Sequence, residues 1–192
     1  MTNQCLQIIH DRRTVHDFLP TPVSQTVLHN CLQAAIWAPN HKKTEPWRFW
    51  VIGPIAQQKL AEIYGQLRAS KKYHKQEEPE AYQQAYDQAK QRFLAIPKIV
   101  LVGQQLTNDP VRRKEDYAAC SCAIQNFQLA AWSQKLGVKW STALIIQHPE
   151  TYAYLQIQPE KIELIGALYC GYPEKVCSAK RKEVEEVTYF LG

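Results

Sequence analysis

The chain has 192 residues, 45% of them hydrophobic and 21% charged, which suits one globular domain over residues 1–192 and excludes a disordered or collagen-like chain. It has no apolar run of the roughly 18 residues a membrane span needs, and the polar opening Met1-Thr2-Asn3-Gln4-Cys5 lacks an apolar signal core, so the expected location is the cytoplasm. The net charge of +5, from 23 basic and 18 acidic residues, favours a polyanionic partner, either a nucleotide cofactor or nucleic acid.

In chain order, the apolar spacing predicts a first helix over 4–10, a turn at Asp11-Arg12-Arg13-Thr14 and an extended stretch over 18–23. Ser24 is a good cap type for a second helix. Val27, Leu28, Cys31, Leu32, Ala35 and Ile36 line one face of that helix, and it should stop at Ala38-Pro39. A polar, cationic loop over 39–46 leads to a buried strand over 47–52. Residues 55–94 read as helix broken at Pro79, with a charged middle that is either a solvated excursion or a mobile lid. A buried strand over 98–103 and a loop over 104–113 follow. A long helix over 114–136, apolar almost all round, should end with Gly137 as its C-cap. Then come an extended segment over 139–142, a small helix over 149–155, an inner strand over 162–171 and a strand-like tail at Val187-Thr188-Tyr189-Phe190. Such irregular alternation points to an α+β or layered α/β/α domain. Three inner strands make a narrow sheet, which a terminal strand from a partner could widen.

Seven glycines form neither G-x-G-x-x-G nor G-x-x-x-x-G-K-[ST], so any nucleotide phosphate must be held by side chains and helix ends. Arg12-Arg13-Thr14 offers two guanidinium forks and a hydroxyl, a set that suits a phosphate monoester; a surface arginine pair at a helix end is the plainer alternative. Asn40-His41-Lys42-Lys43-Thr44-Glu45, braced by Pro39 and Pro46, could meet the edge of a flat heterocycle or be a solvated turn. Trp140-Ser141-Thr142 could reach a ring system or form an ordinary strand with Trp140 in the core. Six cysteines without zinc or redox spacing read as reduced thiols, and no metal site is expected. There is no nucleophile elbow. Arg112-Arg113-Lys114 and Lys180-Arg181-Lys182 are basic runs without a nucleic-acid motif.

Taken in order, these segments resemble the FMN-dependent nitroreductase family, in particular its small single-domain branch with an Asn-His-Lys loop. The matching stretches are Arg12-Arg13-Thr14-Val15-His16, Ala38-Pro39-Asn40-His41-Lys42-Lys43-Thr44-Glu45-Pro46-Trp47, Gly137-Val138-Lys139-Trp140-Ser141-Thr142, Gly171-Tyr172-Pro173 and the closing Val187-Thr188-Tyr189-Phe190. His16 stands where many members have arginine, Glu45 replaces a common glutamine, and Ala143 follows Thr142 where glycine is usual.

The resemblance implies an α+β fold, a layered α/β/α sandwich around a mostly antiparallel sheet, with the C-terminal strand exchanged in a homodimer that holds FMN at its interface. Arg12, Arg13 and Thr14 would hold the FMN phosphate and ribityl chain, with Arg181 as a further phosphate ligand. Trp37 and His41 would approach the flavin, one of them from the partner, and Trp140, Ser141 and Thr142 would complete the site. Ala130-Ala131-Trp132-Ser133-Gln134-Lys135 aligns with a stretch linked to nicotinamide-nucleotide binding. The implied activity is ping-pong reduction of nitro compounds, quinones or similar conjugated acceptors, with NADH or NADPH as hydride donor and the flavin carrying the chemistry. Two rivals are a flavin enzyme of the same fold with a specific metabolic substrate, and a cofactor-free basic module that binds nucleic acid.

Overall fold

A computed structural model describes residues 3–191. Helix α1 (Gln4–Asp11) is capped by Asn3, whose side chain accepts from the Cys5 amide at 3.0 Å. Helix α2 (Gln25–Ala35) follows Ser24, which takes the cap position although its hydroxyl makes no capping bond. Strand β1 (Trp47–Ile52) leads to α3 (Pro54–Ser70) and α4 (Pro79–Leu94). The break in the polar stretch falls at Pro79, which opens α4 because a first-turn residue has no amide to lose. Strand β2 (Lys98–Gln105), helix α5 (Pro110–Ser133), strand β3 (Gly137–Ser141), helix α6 (Pro149–Tyr154) and strand β4 (Ile162–Gly171) complete the regular elements.

The four strands lie in the order β1-β2-β4-β3, every pair antiparallel. Helices cover both faces, which is why β2 and β4 read as continuous apolar runs. On one face Val100, Val102, Val138, Leu168 and Cys170 pack against Leu28, Cys31 and Ala35 of α2 and Ala123, Ile124, Phe127 and Ala131 of α5. On the other, Ile99, Leu101, Leu164, Ala167 and Tyr169 meet Leu60, Ala61 and Ile63 of α3 and Phe93 of α4. The layered α/β/α sandwich is therefore the observed architecture, and the 139–142 segment supplies its fourth strand. Between β2 and β4 the register slips at Val102/Gly103, leaving Ile165 as the extra residue of a bulge. Beside that bulge the Trp140 ring lies on Gly166, where a Cβ would sit 2.8 Å from its Cδ1.

Three local expectations are corrected. Helix α5 begins at Pro110 because Asp109 accepts from the amides of Val111 and Arg112, a cap hidden in what reads as loop. The same helix ends at Ser133, and Lys135, with φ 62°, takes the left-handed position expected of Gly137. Gly137 instead opens β3, where a Cβ would sit 2.6 Å from Val15 Cγ2; close approach, not capping, calls for glycine there. The tail forms no strand within this chain: a short 3-10 turn (Val184–Glu186) is followed by Val187, Tyr189, Phe190 and Leu191, all exposed.

Candidate functional site

The turn after α1 is tied down by its backbone. The Arg12 amide donates to Ile8 O at 3.0 Å, closing the helix. Thr14 then bridges to Val138 in parallel, the Val15 amide donates to Val138 O at 3.3 Å, and Phe18 bridges to Pro173. Residues 12–18 are thereby laid across the ends of β3 and β4. Arg13 folds back, its Nη1 donating to the carbonyls of His10 and Arg12. Burial first, then the charges of Arg181 and Arg13, hold the Arg12 guanidinium below its usual value. Three guanidiniums thus converge, and among the described residues none of them is in an ion pair. Like charges gathered without a counter-charge repel, and an anion bound among them relieves that repulsion.

Just past Thr14 a cleft of about 560 Å³ opens on the α3/α4 side of the sheet, lined by His16, Phe18, Arg92, Phe93, Lys139 and Tyr169, with Asp17 and Glu174 at its acidic side. The Tyr169 ring meets Phe93 edge-on at 5.9 Å. Its hydroxyl is buried beside the Ser141 side chain, and among the described residues it makes no hydrogen bond of good geometry. Burial pushes its pKa up to about 12, so it stays a proton-bearing donor. A buried donor without an acceptor costs stability unless a ligand supplies one.

The 39–46 loop is built differently. Lys42, Lys43 and Glu45 adopt left-handed φ of 53°, 53° and 44°. The Asn40 side chain accepts from the Glu45 amide at 3.0 Å, and Thr44 Oγ1 donates to the buried Asp116 Oδ1 at 2.6 Å. His41 Nδ1 pairs with Glu115 Oε2 at 2.8 Å. Arg48 donates to the Glu45 and Trp47 carbonyls and to Gln105 Oε1. The Asn40, His41 and Thr44 side chains are thus answered from within the chain. Trp37, 82% exposed, borders a separate apolar groove with Cys5, Ile8, Ala34, Leu129 and Ala130.

Arg12, Arg13, Thr14 and Arg181 are therefore brought together, and the cleft begins beside them. Trp140, Ser141 and Thr142 divide. The Trp140 indole donates to Ile165 O at 3.4 Å and packs on the α5 side, Ser141 points to the Tyr169 side, and Thr142 is exposed. The 39–46 loop does not join them. Val138 pairs with Cys170, whereas Trp47 pairs with Gln104 and Gln104 with Glu163. The strand from Glu163 to Cys170 spans about 23 Å, so loop and arginines occupy opposite ends of one sheet. Of the 130–135 stretch, Ala131 is wholly buried, and Gln134 bonds to Asn30 and the Ala130 carbonyl. Ala130 and Ser133 border the Trp37 groove.

Arg92, Lys139 and Tyr169 escaped the sequence reading. Lys139 and Tyr169 could have been found from alternation, since each points away from its core-facing neighbour in the strand; Arg92 carries no local signal. No described helix is long and apolar enough to cross a membrane.

The Nitroreductase family model matches residues 9–172. The chain is 29% identical over 175 residues to YfhC of Bacillus subtilis (strain 168), grouped with the NAD(P)H nitroreductases, covering 91% of this chain and 87% of that one. It is 27% identical over 220 residues to the nitrobenzene nitroreductase of Ectopseudomonas oleovorans, covering 96% and 95%. The crystal structure of a nitroreductase-like family protein from Bacillus cereus superposes with a TM-score of 0.82 at 28% identity, over 100% of this chain and 97% of that one. The FMN-dependent nitroreductase NfnB from Mycobacterium smegmatis, solved in complex with NADPH, shares the fold with a TM-score of 0.78 at 17% identity, over 98% and 99%.

Proposed function

The chain belongs to the Nitroreductase family, and on that premise we propose that it is an FMN-dependent NAD(P)H oxidoreductase that reduces nitro compounds, quinones or similar conjugated acceptors. The convergence of Arg12, Arg13 and Arg181 without a counter-charge carries this reading. Those guanidiniums and the Thr14 hydroxyl suit the doubly charged FMN phosphate. The cleft suits the ring system: it is roofed by Phe18 and Phe93, offers the cations Arg92 and Lys139, and has the unpartnered Tyr169 hydroxyl in its wall.

Bound FMN would supply the redox chemistry, taking a hydride from the reduced nucleotide and passing two electrons to the acceptor. The chain's own residues position and tune. Arg12, Arg13, Thr14 and Arg181 fix the phosphate end. Arg92 and Lys139, both lining the cleft, would offer positive charge to a ring system that becomes more negative on reduction. Tyr169 donates a proton-bearing hydroxyl that burial keeps from ionising. If nucleotide and acceptor share this cleft they would take turns in it, in a ping-pong order.

The working unit is a homodimer. In a two-fold assembly the 39–46 loop of one copy would lie near the arginine end of the other, so that of Trp37 and His41 one would approach the flavin from the partner. The groove beside Trp37, with Ala130 and Ser133 on its wall, is covered in that assembly, and the exposed 187–190 tail adds a strand to the partner's unpaired β1 edge. All six cysteines are free thiols, which suits the reducing cytoplasm.

The test is an absorption spectrum of the purified protein, with light scattering and steady-state NADPH oxidation against nitro and quinone acceptors. A yellow dimer that oxidises NADPH is expected. A colourless monomer that takes up no added FMN overturns the proposal.

A further inference from the structure

Between α3 and α4 a small groove continues from the cleft. Tyr64 and Arg92 line both spaces, and Arg68, Lys72, Ala85, Gln88 and Ala89 complete the groove. Its side chains recur at helical spacing: Tyr64 and Arg68 one turn apart on α3 with Lys72 just beyond its end, Ala89 and Arg92 one turn apart on α4. Small residues leave the floor open. The distance from Tyr64 to Lys72 is about 12 Å at the helical rise, so the groove leads well away from the cleft without leaving contact with it.

The charges there are one-sided. No carboxylate lines the groove. Lys59 of α3 and Lys90 of α4 pair with Glu62, Lys90 also lies over the Tyr86 ring, and Lys75, in the connection between the helices, lies over the Tyr82 ring. Asp87, the nearest acid in α4, accepts from Gln83. Among the described residues, Arg68, Lys72 and Arg92 have no such partner. The groove itself holds about 70 Å³, room for one phosphate group and not for a base.

We propose that this groove seats the 2′-phosphate of NADPH, with Arg68 and Lys72 as the residues that make the protein prefer the phosphorylated nucleotide over NADH. The inference rests on the oxidoreductase reading above and deepens it. With the nicotinamide in the cleft and the FMN phosphate among Arg12, Arg13 and Arg181, the rest of the dinucleotide must leave along another path, and the groove between α3 and α4 is a cationic one that opens from the cleft. NADH carries no group there, so the two cations act on NADPH alone. The groove lies on the sheet face opposite α5, so the 130–135 stretch of the same chain does not meet this phosphate.

The experiment compares FMN-loaded wild type, the double variant Arg68→Ala/Lys72→Ala, and the charge-matched control Lys59→Ala/Lys161→Ala. KM for NADPH and for NADH is measured for each, and binding of 2′,5′-ADP and 5′-ADP is measured by calorimetry. In the Arg68/Lys72 variant, KM for NADPH and the dissociation constant for 2′,5′-ADP should rise roughly tenfold to hundredfold. KM for NADH should move less than twofold, and the control should match wild type. Both side chains are exposed and make no hydrogen bond in the structure, so unchanged melting temperatures should accompany the result. The proposal is overturned by equal losses for both nucleotides, by an effect as large in the control, or by no change in the NADPH to NADH ratio. A protein that binds no FMN and oxidises neither nucleotide instead sinks the oxidoreductase reading itself.

Discussion

The two ends of the sheet handle charge in opposite ways. At the loop end, the buried Asp116 carboxylate receives the Thr44 hydroxyl, His41 meets Glu115, and Arg48 bonds two carbonyls and Gln105. The chain accepts three left-handed side chains there, each costing about 1 kcal/mol, to achieve this. At the arginine end, three guanidiniums crowd together, two more cations line the neighbouring cleft, and a buried hydroxyl has no partner. The loop end ties down its backbone and its buried carboxylate from within the chain, while a cleft of about 490 Å³ lined by Thr44, Arg112 and Asp116 opens beside it. At the arginine end an anion would relieve the crowded charge and a hydrogen-bond acceptor would answer the buried hydroxyl, which is what supports reading it as the phosphate site.

The largest effect should come from Arg12→Ala/Arg13→Ala. Losing two charge-assisted phosphate contacts should weaken FMN binding by a hundredfold or more, read as flavin released on dilution; a double variant that keeps full FMN occupancy breaks the contrast. Next is Thr44→Val at the other end. It strips the buried Asp116 of its hydroxyl and should cost about 1–3 kcal/mol in urea unfolding, with far less flavin lost than in the arginine variant. If Thr44→Val instead releases flavin as readily, the Thr44–Asp116 bond shapes the loop that reaches the partner's flavin as much as it stabilises the fold.

Tyr169→Phe sharpens the comparison further. Removing an unpartnered buried hydroxyl should stabilise the flavin-free protein by about 1 kcal/mol. The same change should weaken FMN binding about tenfold. Unchanged affinity would show that the hydroxyl meets nothing in the cleft.

The smallest effect is alkaline. Burial raises the Tyr169 hydroxyl from 10 to about 12, and the Cys31 and Cys120 thiols from 9 to about 12. In the unfolded chain these groups ionise first, so their contribution is whole below pH 9 and is lost as pH rises toward 12. The urea midpoint of the flavin-free protein should therefore decline steadily across that window, and Tyr169→Phe should flatten its upper part.

Much of this was legible in the chain. Period-3.6 and continuous apolar runs placed the helices and inner strands, and Arg12-Arg13-Thr14 stood out because no glycine cradle could hold a phosphate. What was misread has local causes. The Asp109 cap depends on two amides that become free only once the helix exists. Gly137 follows a helix, so it looked like a cap, but its reason is the Val15 side chain. Arg92 is one charged residue on a polar helix, with no local signal to set it apart; only the placing of α4 next to Lys139 and Tyr169 turns it into a cleft residue.

By itself the sequence determined most of the element types and the two-sided sheet, because the periodicity of apolar residues is a local property. The tertiary structure alone decided which groups share a space. It set the 39–46 loop some 23 Å from the arginines, brought Arg181 back to Arg12, and left Tyr169 without a partner. Those outcomes follow from strand register and sheet order, which are fixed by long-range pairing and not by any window of neighbouring residues.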